Sequence, residues 1–231
     1  MTPSSPGQVL TVAEFELRKY LRGRRLLGML ILVALIMGLI LGLPPALGLS
    51  YATTPNAFAA TFANFTGILI LLCGVLFAAD TLVSEHEKRT GYFLFPNPVR
   101  RETIVAGKFL ASLAASGFVV TMYYIAVTVA ALAVTGAGSW EIGLSYAYAL
   151  AYVACVVGVA FLISALMRTT IAATLVVFFL FFLIFMIVQG VLGLTDVEPW
   201  FIPTAASGII GNVLAPPPSF PGPGGGFVVY I

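Results

Sequence analysis

Charge is what this sequence lacks most. Of 231 residues only 9% are Asp, Glu, Lys or Arg, against roughly 25% in an average soluble domain, where charge covers the water-facing surface. A chain that is 60% hydrophobic with so little charge cannot clothe itself in water. Disorder is excluded by the same shortage, since a disordered chain needs low hydropathy and high charge. Only two cysteines are present, Cys73 and Cys155, both inside apolar runs, so no disulfide framework is indicated. The lone histidine, His86, stands in a charged stretch with no second ligand at metal spacing. No nucleophile with its base and no phosphate-binding loop occurs, and no basic patch suited to nucleic acid. What remains is a polytopic all-α membrane protein.

The few charges are segregated. Every Lys and Arg falls between Arg18 and Arg25, between Lys88 and Lys108, or at Arg168. Between them run uncharged stretches of spanning length, about 20 residues at 1.5 Å each: roughly 26–43, 58–79, 109–134, 142–167 and 171–194. The first is expected to stop at Pro44 and Pro45. With five spans, all basic residues share one side, while the other holds only Glu141, Asp196 and Glu198. The positive-inside rule makes the basic side cytoplasmic, N-terminus included, in a multi-pass cell-membrane protein. Trp140 and Trp200 fall at the opposite boundary, where indole favours the interface.

Ahead of the first span, Val12, Phe15, Tyr20 and Leu21 alternate with Glu14, Glu16, Arg18, Lys19 and Arg22. This pattern predicts a helix over about 11–22 lying in the cytoplasmic interface. The loop 80–108 is the most informative stretch. Ser84 and Glu87 form a capping-box pattern; Tyr92, Phe93, Leu94 and Phe95 follow as an apolar patch beside Lys88, Arg89 and Thr90; Pro96 and Pro98 turn the chain. Two readings stand: a solvated loop whose charges set topology, or a docking element for a cytoplasmic partner with the aromatics as anchor. Asp80 is expected at the inner end of span two, within reach of water or Lys108.

Inside the spans polarity is mild: Asn64, Thr66, Thr121, Tyr123, Tyr124, Thr128, Ser145, Tyr148, Tyr152 and Gln189. Tyr148 and Tyr152 share a helix face. With Asn64 they are candidates to line a translocation path, although hydrogen bonding between helices is the commoner role of such groups. Gly38 with Gly42, Gly74 with Ala78, and Ala154 with Gly158 offer small faces for close helix packing. The span-five phenylalanines, Phe178, Phe179, Phe181, Phe182 and Phe185, are expected to face mostly lipid or a second subunit.

The loop residues Glu85, His86, Glu87, Thr90, Leu94, Pro98, Val99, Arg101, Gly107 and Lys108 resemble the signature of ABC-2 type transporter permeases, the transmembrane subunits of ABC exporters. The resemblance implies six spans (type V architecture), of which these would be the first five, with a coupling helix between spans two and three. It also implies a second permease subunit, identical or related, and a cytoplasmic ATP-binding cassette ATPase that carries ATP and Mg, so that this chain is no enzyme and holds no cofactor. Glu85 and Glu87 would face the ATPase, with Lys88, Arg89, Thr90, Tyr92, Phe93 and Leu94 in the same docking surface; Pro98 and Arg101 would fix the turn into span three. Arg89 stands where many members carry Gly.

After Glu198 the tail is uncharged yet broken by prolines and glycines. Only 204–214 is expected to be helical, with Ile209, Ile210, Val213 and Leu214 on a membrane surface, and residues 195–231 are expected to lead to a sixth span; the alternative is a five-span protein. A non-transporting membrane scaffold that docks a cytoplasmic partner is the competing function.

Overall fold

A computed structural model describes residues 5–84, 101–193 and 202–215, and these are all helices and their connections. They comprise α1 (Ser5–Arg22), α2 (Arg25–Ala46), α3 (Pro55–Cys73), α4 (Arg101–Thr135), α5 (Trp140–Leu166), α6 (Thr170–Phe179), α7 (Phe185–Gly193) and α8 (Pro203–Asn212). A π-helical turn, Gly74–Ala78, extends α3, and a second, Leu180–Ile184, joins α6 to α7. Five stretches are long and apolar enough to cross a membrane: Arg25–Ala46, Pro55–Ala78, Glu102–Thr135, Trp140–Leu166 and Thr170–Leu192. The expected span count holds.

Local chemistry sets the boundaries, and it corrects two of them. Pro44 and Pro45 do not stop α2 but lie in its last turn. Pro45 has no N–H for the carbonyl of Leu41, and the Tyr51 hydroxyl donates to that carbonyl instead. Gly48, at φ 70°, then reverses the chain, with the Leu49 N–H closing on the Pro44 carbonyl at 2.8 Å. The second correction concerns the loop 80–108, because residues 101–108 already belong to α4. Counting apolar residues alone placed the start of that helix too late. At its α3 end the chain follows a common helix-start pattern, Thr54 capping the Ala57 N–H at 3.4 Å and Pro55 at the first helical position.

The bundle core lies among α3, α4 and α5, with α1 packed along the N-terminal turns of α4 and α8 wedged against α5 and α3. Hence α8 is not a surface helix: Ile210 and Leu214 are buried. Its backbone comes close because Gly67 faces Ser207 and Gly211 faces Ala63, with contacts of 3.7 and 3.9 Å awaiting any added Cβ. The motif-like pair Gly38 and Gly42, by contrast, meets nothing within 4 Å, and the same holds for Gly158. Helix α2 exposes Leu27, Ile31, Leu35, Leu39 and Leu43, and the α6–α7 arm exposes Leu175, Phe179, Phe182 and Met186. Of the span-five phenylalanines, Phe181 is buried, while Phe178 and Phe185 are half-buried.

Candidate functional site

At the basic end of the bundle, α1, the end of α3 and the start of α4 converge on one backbone atom. The π turn shifts the hydrogen-bond register: the Ala79 N–H reaches back to Gly74 at 3.0 Å and the Thr81 N–H bonds Ala78 at 3.2 Å. In an unbroken α-helix the Thr81 N–H would serve the Phe77 carbonyl. That carbonyl is buried and left to side chains, which it must find. Thr81 donates to it at 2.6 Å, Ser112 of α4 at 2.7 Å and Tyr20 of α1 at 2.8 Å. The Tyr20 and Ser112 oxygens lie 3.1 Å apart, so either hydroxyl can turn its single hydrogen to the other instead of to the carbonyl. Burial pushes the Tyr20 phenol above its ordinary 10.0, more than Ser112 and Thr81 pull it down, so it remains a donor at neutral pH.

A buried ion pair stands beside this cluster. Lys108 of α4, only 3% exposed, donates to Glu16 at 2.8 Å and to the Thr81 carbonyl at 3.3 Å. Burial alone raises the Glu16 carboxyl; the hydrogen bond and charge of Lys108, then of Lys19, outweigh it and leave the pKa below 4.5. The two helices touch because Gly107 precedes Lys108: a Cβ there would sit 2.7 Å from the Val12 Cβ and 2.9 Å from the Val9 carbonyl. Asp80 pairs with Arg25 at 2.6 Å; of the two partners expected for it, water or Lys108, the lysine is held by Glu16. Arg25 also donates to the Leu76 carbonyl at 3.1 Å. On the far side, Ser164 of α5 accepts the N–H groups of Leu82 and Val83 at 3.1 and 3.3 Å.

These contacts clamp the residues on either side of segment 85–100. Of the expected docking residues, Glu85, Glu87, Lys88, Arg89, Thr90, Tyr92, Phe93, Leu94 and Pro98 lie outside the described residues; Arg101 opens α4. The expected capping box likewise extends to Glu87, beyond the described set, while the Ser84 hydroxyl turns back to the Thr81 carbonyl at 3.5 Å. α1 does more than lie along a surface: Tyr20 is 2% exposed, whereas Phe15 and Leu21 stay outside.

The tyrosines of the spans tie helices together. Tyr123 donates to the Phe62 carbonyl at 2.8 Å, and Tyr124 bonds Ser145, which donates to the Ile210 carbonyl of α8 at 2.8 Å. Between Phe62, Thr66, Tyr124 and Leu214 the remaining gap admits no water molecule. Tyr152 is buried, Tyr148 half-buried against the core, and Asn64 exposed on α3, so the three path candidates do not share one surface of this chain. The missed residues are Glu16, Tyr20, Thr81, Ser112 and Ser164. Glu16 and Tyr20 do recur at i and i+4 and Lys108 follows a glycine, yet nothing in the sequence pairs positions 92 residues apart.

Five apolar spans and a polar knot at the basic end define a polytopic helical membrane protein. Its family follows from residues 10–199, which match the ABC-2 family transporter protein: the chain belongs to that family and is a permease subunit of an ABC transporter, a transport component and not itself catalytic. Among curated proteins none matches the chain.

Proposed function

We propose that this permease takes its drive from a separate cytoplasmic ATPase through segment 84–101, and that substrate passes between this chain and a second permease subunit. The clamp at the segment's ends carries the reading. A connector that only set topology would need no buried ion pair, no shared carbonyl and no serine accepting two backbone N–H groups at its roots. A force applied to the segment would therefore reach α1, α3, α4 and α5 together. In this reading the basic end and the N-terminus face the cytoplasm, α1 rests at that interface, and Glu85 and Glu87 meet the ATPase, with Lys88, Arg89, Thr90, Tyr92, Phe93 and Leu94 around them and Pro98 and Arg101 shaping the exit. ATP and Mg are held by the partner.

A path between subunits fits a chain whose own interior is packed, and whose α2 and α6–α7 surfaces are open. In this reading Asn64, exposed on α3, would line such a path, and Tyr148 and Tyr152 would contribute from the inner side.

Affinity purification of the tagged chain is expected to bring down an ATP-binding cassette ATPase, and Glu85→Ala or Glu87→Ala to lower the ATP turnover of that complex. A chain that co-purifies no ATPase, with turnover indifferent to both variants, would instead be a scaffold.

A further inference from the structure

On the coupling reading proposed for segment 84–101, we infer that α1 is a lever in that coupling, and that Glu16, Tyr20 and Lys108 are its positioning residues. The lever has two attachments. One is the knot itself, where Tyr20 spans the end of α3 and the start of α4 through Phe77, Thr81 and Ser112, and where Glu16 holds Lys108. The other is the joint to α2: Arg24 takes a left-handed φ of 59° between the two helices, a conformation disfavoured for a residue with a Cβ. Through that joint, α1 leads directly into α2, whose outward face carries five exposed leucine and isoleucine side chains and whose Gly38 and Gly42 meet no neighbour within the chain. Displacement of the segment's roots thus turns α1 and, with it, α2, whose exposed face is open to a second subunit.

The choice of a charged pair points the same way. Removing two ions from water is expensive, and well-packed apolar side chains of similar volume usually serve stability as well or better. A Lys at 3% exposure paired with a Glu at 13% therefore specifies an arrangement of α1 on α4 more than it stabilises one. Lys108 gains a further tie to Thr81 at the root of the segment, which an apolar residue would not make.

The experiment separates these roles in the permease–ATPase complex reconstituted in liposomes, by comparing ATP turnover with the thermal midpoint of the same complex. The paired replacement Glu16→Leu with Lys108→Met is expected to leave the midpoint unchanged or raised, while permease-dependent turnover falls about fivefold or more, the lower edge of measured couplings between sites. Tyr20→Phe, which removes only the hydroxyl, is expected to lower turnover in the same direction, and the exchange Glu16→Lys with Lys108→Glu to recover part of it. Wild-type turnover in both the paired variant and Tyr20→Phe would overturn the lever. If the paired variant does not assemble, Tyr20→Phe alone decides. Loss in Glu85→Ala and Glu87→Ala without loss in the α1 variants would reject the lever and keep the coupling segment; turnover indifferent to the segment variants would reject the coupling reading itself.

Discussion

Two π-helical turns interrupt the spans, and they are treated in opposite ways. Gly74–Ala78 is embedded: Phe77 is fully buried, its carbonyl is taken by three hydroxyls, and Gly74 lies so close to α5 that a Cβ would fall 2.7 Å from the Val156 side chain. Leu180–Ile184 lies nearer the surface, with Phe182, Leu183 and Ile184 each about half exposed, Phe181 buried and Leu180 partly so. The same backbone irregularity is thus a fixed anchor in one place and a lipid-facing irregularity in the other. What differs is the neighbourhood. A freed carbonyl becomes a junction only when other helices bring hydroxyls to it, and the first turn has α1 and α4 within reach.

Substitutions at the two turns sharpen the contrast. Phe77→Ala removes a fully buried ring that packs tilted at 57° against Tyr20, centroids 5.2 Å apart, and is expected to cost about 3 kcal/mol, read as a lowered thermal midpoint of the detergent-solubilised protein. Gly74→Ala overpacks the contact with Val156 and is expected to cost about 1–3 kcal/mol in the same assay. Tyr20→Phe loses the hydroxyl bonds but keeps the ring, an effect of about 1 kcal/mol. Acid probes the adjoining pair more gently. Because the folded Glu16 carboxyl titrates below its ordinary 4.5, its contribution is whole above that pH and declines as pH falls through the lower folded value. The midpoint measured from pH 7 downward should therefore stay level until about 4.5 and then drop, and Glu16→Gln should flatten that drop. Phe182→Ala should change stability by less than about 0.5 kcal/mol and leave the midpoint nearly unmoved, since the lipid that fills the place of the ring is as apolar as the ring. A large effect there would mean that the second turn is also an anchor, held by a partner chain.

Hydropathy and charge placement made the five spans readable, because insertion responds to the summed transfer free energy of a whole helix. They were blind to what is decided by shape. The prolines at 44 and 45 looked like a stop, yet a helix tolerates them where the carbonyls they release find another donor, here Tyr51 for Leu41. The early start of α4 was hidden because Arg101, Glu102 and Lys108 are charged, and helix propensity does not fall with charge. α8 was read as a surface helix from its apolar face; the small residues that seat it, Ala63, Gly67, Ser207 and Gly211, are dispersed over two distant segments. The knot around Phe77 joins helices through residues 35, 57 and 92 positions apart, a pairing that no local pattern announces. Segment 84–101 was legible in its own residues as a shaped loop or docking element, and its proposed coupling role came from the resemblance; the match over residues 10–199 shows the family.

The length of α4 bears on something else, the electrical environment of whatever docks there. Its 35 residues extend about 50 Å at 1.5 Å each, whereas a bilayer with its headgroups is about 40–45 Å thick. The surplus, if it emerges at the basic end, is comparable with the Debye length of about 8 Å in physiological salt. A protein seated at the tip of α4 would meet a lipid surface potential cut to roughly a third to a half, so its grip on the permease should depend on anionic lipid less than that of a protein lying on the headgroups.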